Sequence, residues 1–265
     1  MTQLSFPNNS KMCIIKDRIM KIAITTGSSK GIGRAIAIRL AKDGYISIVT
    51  FNTDEEGAIE TLKQVKNVGD GMKIKLDVTK EESVKIVFDL IKKKYGKLDV
   101  LTNNTGIERP NTIEECSLQD WNDVIQAKIN GNFLCTKYAI PLLKEAKISH
   151  IFNIVSSLGE RPDPDYPAYC VGTAGTIAFT KMMSIHLGKY GIRVNGIAPG
   201  TTRTSMWGVM GGDNNEMWDS FAKINPLGRV STPEDVANTI ALLLVKEAEY
   251  LNGNIVYVNG GSHLK

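Results

Sequence analysis

The chain has 265 residues, of which 42% are hydrophobic and 23% charged, an ordinary composition for a globular protein. Its net charge of +4 comes from lysines spread along the chain rather than concentrated in one arm, so nucleic-acid binding is not indicated. The four cysteines form no C-x-x-C pair, the three histidines lack ligand spacing, and no apolar run approaches the roughly 18 residues that span a membrane, so we expect no metal site and no membrane association.

The first segment of the chain is predicted to lie outside the folded unit. Residues 1–19 mix charges with Pro7 and lack the apolar stretch of a secretory signal, so we interpret them as a loose extension or an upstream start before Met20. The scattered cysteines then suggest free thiols in a reducing compartment, and we expect a cytoplasmic protein. Residues 20–265 show no repeat or linker, and we predict that they form a single domain.

Short β-branched runs alternate along this domain with longer stretches of 3.6-residue apolar periodicity. The predicted strands are Lys21–Thr26, Tyr45–Phe51, Met72–Leu76, Leu98–Thr102, His150–Val155, Arg193–Ala198 and Asn254–Val258. The predicted helices are Ile32–Lys42, Glu55–Val68, Glu81–Tyr95, Leu118–Lys144, Ala168–Tyr190 and Glu234–Ala248. Such alternation predicts an α/β fold in which right-handed crossovers build a parallel sheet with helices on both faces.

A glycine-rich loop joins the first strand to the first helix, with the sequence Thr26-Gly27-Ser28-Ser29-Lys30-Gly31-Ile32-Gly33. The unpaired N–H groups and the dipole at the start of a helix favour an anion there. Gly27 suits a backbone turn with positive φ, Gly31 permits close approach of a pyrophosphate, and Gly33 permits close helix packing. The loop therefore predicts a dinucleotide site.

This loop resembles the T-G-x-x-x-G-x-G loop of the short-chain dehydrogenase/reductase family. The likeness continues in order through Asp77-Val78, Asn103-Asn104-Thr105-Gly106, Ser156, Tyr169, Arg193-Val194-Asn195, Pro199-Gly200, Pro226-Leu227-Gly228-Arg229 and Asn259-Gly260-Gly261. It covers residues 20–262 and looks closest to the 3-oxoacyl-carrier-protein reductase branch. The resemblance implies a Rossmann-type doubly wound sheet of seven parallel strands and a homo-oligomer, either a tetramer or a dimer.

The end of the second strand indicates which dinucleotide is used. An NAD enzyme usually places an acid there to bind the ribose 2′-hydroxyl, but this chain has Phe51-Asn52-Thr53. Lys30 could instead pair with a 2′-phosphate, while Asp54 and Glu55 are interpreted as the start of the next helix. We therefore predict NADP(H).

The family pattern assigns the remaining cofactor contacts. It implies that Asp77 and Val78 hold the adenine, that Asn104 and Gly106 lie on the ribose side, and that Gly200, Thr202 and Thr204 lie along the nicotinamide. The full predicted set is Gly27, Ser29, Lys30, Gly31, Ile32, Gly33, Asn52, Asp77, Val78, Asn104, Gly106, Tyr169, Pro199, Gly200, Thr202 and Thr204.

The catalytic pattern of the family is matched only in part. Family members combine a serine, the sequence Y-x-x-x-K and an asparagine on the preceding long helix. Ser156 and Tyr169 match by position, but Thr173 stands where the lysine belongs and Lys128 where the asparagine belongs. A free phenol has a pKa near about 10, so Tyr169 without a nearby cation would be a poor base.

Two interpretations of this change remain open. In the first, the Lys128 amine enters the space left by Thr173 and restores positive charge beside Tyr169. In the second, Lys128 points to solvent and the site has decayed. The predicted catalytic residues are Ser156, Tyr169 and Lys128.

The predicted function is NADPH-dependent reduction of a ketone or a 3-oxoacyl thioester. The apolar segment 205–222, which contains Met206, Trp207, Val209, Met210, Met217, Trp218 and Phe221 around Gly211-Gly212, suggests a lid over a greasy substrate, or a lid packed on its own domain. Arg109 and Arg161 could meet an anionic carrier, or could be ordinary solvated arginines. The alternatives are a dinucleotide-binding pseudoenzyme and a specialised or non-redox reaction on the same scaffold.

Overall fold

A seven-stranded sheet forms the centre of the fold in the computed structural model, which describes residues 20–205, 207 and 214–264. All the strand pairs are parallel, in the order β3-β2-β1-β4-β5-β6-β7. The strands are β1 Lys21–Thr25, β2 Tyr45–Phe51, β3 Asp70–Lys75, β4 Val100–Asn103, β5 Ser149–Ile154, β6 Ile192–Pro199 and β7 Ile255–Val258. This confirms the predicted doubly wound α/β architecture.

Helices cover both faces of the sheet. They are α1 Gly31–Lys42, α2 Glu55–Val68, α3 Glu81–Tyr95, α4 Leu118–Ile125, α5 Gly131–Leu143, α6 Pro167–Gly188, α7 Asn215–Ile224 and α8 Pro233–Leu243. The core on one face takes its side chains from α3, α5 and α6, and the core on the other face takes them from α1 and α8. Within β1 the side chains alternate accordingly, since Ile22 and Ile24 join the first core while Ala23 joins the second.

Several element boundaries differ from the sequence prediction. Strand β3 begins at Asp70 because that residue pairs with Ile46 in the parallel ladder, although Asp-Gly is typical of a turn. The helix predicted over Leu118–Lys144 is interrupted by a π-helical turn at Gln126–Asn130. The helix predicted to reach Ala248 ends at Leu243, and a short 3-10 turn follows at Lys246–Ala248. Helix α7 was not predicted as a separate element.

The described part of the chain contains no candidate for a membrane-spanning helix and none for a metal-ligating group. Within residues 20–205, 207 and 214–264, no helix is both long enough and apolar enough to cross a bilayer. In the same ranges no group of three or more His, Cys, Asp or Glu side chains is arranged to hold a metal ion. Cys116, Cys135 and Cys170 are free thiols, and Cys13 lies outside the described residues.

Candidate active site

A cleft of about 730 Å³ opens at the carboxyl ends of the central strands. It lies where β1 has β2 on one side and β4 on the other, so that the chain leaves the sheet in opposite directions. Ligands bind at this switch point in doubly wound sheets. The glycine loop lines one end of the cleft, and Ser156, Tyr169 and Lys128 line the other.

The glycine loop is shaped to receive an anion. Helix α1 has no side-chain cap at Lys30 and no acidic residue in its first turn, so its first N–H groups are free to bind a ligand. A Cβ atom on Gly33 would lie 2.4 Å from the Gly27 carbonyl oxygen, so no side chain fits at this position. The Asn104 amide donates to the carbonyl oxygens of Thr26 and Gly27 and holds the loop against β4. These features fit a dinucleotide pyrophosphate.

The cleft carries both a cation and an acid beside the end of β2. Lys30 and Asn52 are exposed and line the cleft. Asp54 is the N-cap of α2, where its Oδ1 accepts from the Gly57 N–H at 3.0 Å, as expected for the start of the next helix. A hydrogen bond from Ser29, that N–H and the nearby charge of Lys30 together hold the pKa of Asp54 below its usual range. The Asp54 carboxylate is therefore already paired with nearby groups of the protein.

Most of the other predicted cofactor contacts line the cleft. Pro199, Gly200, Thr202 and Thr204 line the cleft, and the Thr202 hydroxyl donates to the Gly200 carbonyl at 2.9 Å. Ser29, Ile32, Asn104 and Gly106 line it as well.

Asp77 and Val78, predicted to hold the adenine, are not among the residues that line the cleft. The Asp77 carboxylate accepts from the backbone N–H and the hydroxyl of Thr79, and Val78 packs beside Gly131. The cleft wall at the end of β2 is formed instead by Phe51, Asn52 and Thr53.

Ser156 and Tyr169 come together although they lie on different elements. Ser156 follows β5 and accepts the Leu158 N–H at 3.2 Å. Tyr169 lies in the first turn of α6, which Pro167 opens. The hydroxyls of Ser156 and Thr173 both act to lower the Tyr169 pKa, but burial and the nearby Glu108 outweigh them and raise it well above its usual value.

Lys128 points into the site and not into solvent. It lies in the π-helical turn, is 3% exposed, and its Nζ donates to the Ile154 carbonyl oxygen at 3.0 Å. The Nζ is 5.0 Å from the centroid of the Tyr169 ring. Burial lowers the Lys128 pKa to about 8, against the opposing attraction of Glu108. Glycine at position 106 leaves room for the amine, because a Cβ atom on that residue would lie 3.3 Å from the Lys128 Nζ and would crowd it.

Glu108 is a residue of this cluster that the sequence analysis missed. It lines the cleft on the loop after β4, and its carboxylate interacts with the Tyr169 hydroxyl and the Lys128 amine. Burial raises its pKa, and the favourable contacts with Lys128 and Tyr169 only partly offset that effect. Its position two residues after Gly106, at the carboxyl end of a central strand, is the signal that could have identified it.

The substrate end of the cleft has an aromatic wall and an acidic rim. Trp207 lies 5.7 Å from Trp218 and 5.3 Å from Phe221 between ring centroids, and Trp207 and Phe221 line the cleft. Asp163 and Asp165 line it too. Of the predicted lid, Met206, Val209, Met210 and Gly211-Gly212 lie outside the described residues.

The two arginines near this rim are both engaged within the protein. The Arg109 Nε lies 3.4 Å from the Asp120 carboxylate, and the Arg161 guanidinium donates to the His263 carbonyl oxygen. Both arginines therefore already have partners within the protein, with which an anionic ligand would have to compete.

Comparison with known proteins finds relatives along nearly the whole chain. Residues 27–263 match the family described as Enoyl-(Acyl carrier protein) reductase. The 3-oxoacyl-acyl-carrier-protein reductase FabG of Staphylococcus aureus is 34% identical over 248 residues, which cover 93% of this chain and 100% of that protein. Glucose 1-dehydrogenase 2 of Bacillus subtilis is 36% identical over 252 residues, which cover 94% and 97%. A solved structure of the angucycline C-6 ketoreductase LanV with bound NADP matches with a TM-score of 0.84 at 26% identity, covering 92% of this chain and 96% of that one.

Proposed function

The chain belongs to the short-chain dehydrogenase/reductase family, and on that basis we propose that it is an NADPH-dependent reductase of a carbonyl compound. One observation carries the proposal: a single cleft joins an anion-binding glycine loop to a serine–tyrosine pair. The solved ketoreductase LanV has NADP bound, and the FabG relative is named for reduction of a 3-oxoacyl group.

The residues that would hold the cofactor follow from the geometry of the cleft. The N–H groups at Gly31 and Ile32 would bind the pyrophosphate, while Lys30 and Asn52 would bind the 2′-phosphate. Pro199 and Gly200 line the nicotinamide end. Bound there, NADPH supplies the hydride.

Ser156 and Tyr169 act on the substrate oxygen. Ser156 orients the carbonyl by a hydrogen bond, and the Tyr169 hydroxyl gives its proton to the oxygen as charge develops there. Because the Tyr169 pKa is raised, the phenol stays protonated at neutral pH. This protonation state suits an acid and not a base, so we expect reduction to be faster than alcohol oxidation.

The cofactor assignment can be tested at Lys30. Replacing it with alanine removes the cation beside the 2′-phosphate, and such charged hydrogen bonds are worth about 1.5–3 kcal/mol. We expect Lys30→Ala to raise the KM for NADPH by about tenfold or more and to leave the KM for NADH unchanged. Lys42→Ala, at the exposed end of the same helix, is the control. An equal effect on both cofactors would contradict the assignment.

The rim of the cleft bears on the substrate class. Asp163 and Asp165 would repel an acidic carrier, and Arg109 and Arg161 are held by internal partners. We therefore favour a small uncharged ketone over a carrier-bound 3-oxoacyl thioester. Following NADPH oxidation with both classes of substrate distinguishes them, and turnover of thioesters alone would reverse the preference.

A catalytically impaired dinucleotide-binding protein is the second candidate. The observation in its favour is Thr173, which supplies no charge to Tyr169 at the position of the family lysine. Tight NADPH binding with no oxidation by any ketone or thioester would favour this candidate over the first.

Assembly and location belong to the same proposal. Helices α5 and α6 expose Phe133, Val171, Met182 and Ile185, apolar surface that a homodimer or homotetramer would bury. We propose a cytoplasmic homo-oligomer, and sedimentation of the purified protein tests its assembly state.

A further inference from the structure

Tyr169 must regain a proton between turnovers if it acts as the acid of the proposed reduction. If Tyr169 gives its proton to the substrate, a phenolate remains in the cleft wall, where it is half-buried, and must be reprotonated before the next turnover. Thr173, fully buried below it, carries no acid of useful strength. Water is a far weaker acid than a carboxyl or ammonium group, so an ionisable group beside the hydroxyl would return the proton faster.

Lys128 and Glu108 both lie beside Tyr169, and their positions differ. The Lys128 Nζ lies near the ring, donates to the Ile154 carbonyl and is almost completely buried. The Glu108 carboxyl interacts with the hydroxyl itself and is only half-buried in the cleft wall. Glu108 is thus the group that can exchange protons with both the phenol and water.

We propose that Glu108 is a proton-relay residue, which returns a proton to Tyr169 after each reduction while Lys128 balances the charge. The inference rests on the proposed reductase function. Hydride adds to the carbonyl carbon, the π electron pair moves to oxygen, and that oxygen takes the Tyr169 proton. The phenolate then takes the proton of the Glu108 carboxyl, and the resulting carboxylate is reprotonated by a hydronium ion from the solvent, so each turnover consumes one proton of the medium.

The direction of proton transfer agrees with the acidities. A carboxyl is a far stronger acid than a phenol, so transfer from Glu108 to the Tyr169 phenolate is downhill. Burial raises the Glu108 pKa, which keeps its proton available at a higher pH than an exposed glutamate would.

Several charged and titratable groups surround Glu108. Lys128 on the π-helical turn favours the carboxylate. From the α6 side, Tyr169 and Tyr166 face it, and Asp163 and Asp165 line the same cleft. Arg109, next in the chain, points to Asp120.

The test compares wild type with Glu108→Gln, which keeps the size and the hydrogen-bonding capacity but cannot deliver a proton. The wild-type kcat should fall as pH rises through the raised Glu108 pKa. In Glu108→Gln, kcat should be about 100-fold lower and flat over that range, because general acid assistance is lost. The solvent isotope effect should rise, while NADPH binding followed by fluorescence should not change. Glu114→Gln, an exposed glutamate on the same loop, should behave as wild type.

A second measurement does not depend on turnover. Infrared difference spectra of wild type against Glu108→Gln report the protonated carboxyl directly, and its titration midpoint should lie above the usual glutamate value of 4.5. A normal midpoint, or an unchanged pH profile in an active Glu108→Gln enzyme, would overturn the relay while leaving the reductase function standing. Absence of turnover with every carbonyl compound in wild type would instead refute the reductase function, and the relay with it.

Discussion

Lys128 and Thr173 both lie beside Tyr169 in the candidate active site. Thr173 is completely buried, and its Cγ2 lies 2.8 Å from the position that a Cβ on Gly159 would take, so the space around it is closed. The Lys128 stem packs against Gly172, where a Cβ would lie 3.4 Å from the Lys128 Cβ and Cγ. The two side chains both interact with Tyr169 and should be energetically coupled.

We predict that the two positions must be changed together. Lys128→Asn alone should reduce kcat/KM at least tenfold, because it removes the positive charge of the Lys128 amine, 5.0 Å from the centroid of the Tyr169 ring. Thr173→Lys alone should not raise activity, because it brings a second ammonium group into an occupied space. The double variant restores the asparagine and lysine of the family pattern, and should exceed both single variants.

The measurement is NADPH-driven reduction of a ketone, with a coupling energy of about 1–3 kcal/mol expected between the two sites. Lys147→Asn, an exposed lysine after α5, is the control. A single Thr173→Lys variant that outperforms both the wild type and the double variant would show that Lys128 makes no contribution.

At the level of elements, helix α8 begins with a reciprocal capping arrangement. The Thr232 hydroxyl accepts the Asp235 N–H at 3.3 Å, and the Asp235 carboxylate accepts the Thr232 N–H at 2.8 Å. Arg229 completes it with two hydrogen bonds to the same carboxylate. These contacts, led by Arg229, lower the Asp235 pKa to about 2. They fix the start of the helix beside the strand bridge between Thr202 and Ser231, at the edge of the cleft.

We predict that Asp235→Ala lowers the free energy of unfolding by about 1 kcal/mol at neutral pH. Because the folded pKa is depressed, the contribution is complete above the ordinary value of 3.8 and is lost as pH falls toward 2. Urea unfolding of wild type and variant across this range measures it, with the exposed Glu234→Ala as control. A difference between wild type and Asp235→Ala that persists below pH 2 would contradict the assignment.

At the scale of the whole molecule, His150 links stability to acid. It lies in β5, is 5% exposed, stacks on Phe152, and has Nε2 3.3 Å from a nitrogen of Arg193. Burial first and Arg193 second lower its pKa from 6.5 to about 3. The folded protein therefore keeps this ring neutral where the unfolded chain would protonate it.

We predict that this residue steepens acid unfolding. The stabilisation that comes from the neutral His150 ring is fully present above pH 6.5 and is lost as pH falls toward 3. At about 1.36 kcal/mol per pKa unit, it amounts to roughly 5 kcal/mol at most. His150→Gln should therefore lose less stability than wild type over that range, as measured by urea unfolding at a series of pH values. His186→Gln, at an exposed histidine, should follow wild type. Parallel curves for wild type and His150→Gln would rule out this source of acid sensitivity.

The sequence alone determined the architecture and the departure from the family pattern. Strand and helix periodicity are local properties, so the alternation, the parallel sheet and the glycine loop were all predictable, as was Thr173 at the place of the lysine. Boundaries were less predictable, as at Asp70, because the ladder with a neighbouring strand overrides a residue's own turn preference.

Only the tertiary structure decided which side chains meet in the cleft. Glu108, Lys128 and Tyr169 come from a loop, a π-helical turn and the first turn of a distant helix, and the order of the strands brings them together. No local periodicity encodes such a meeting. Local interactions specify the elements, whereas burial and charge across elements specify the chemistry.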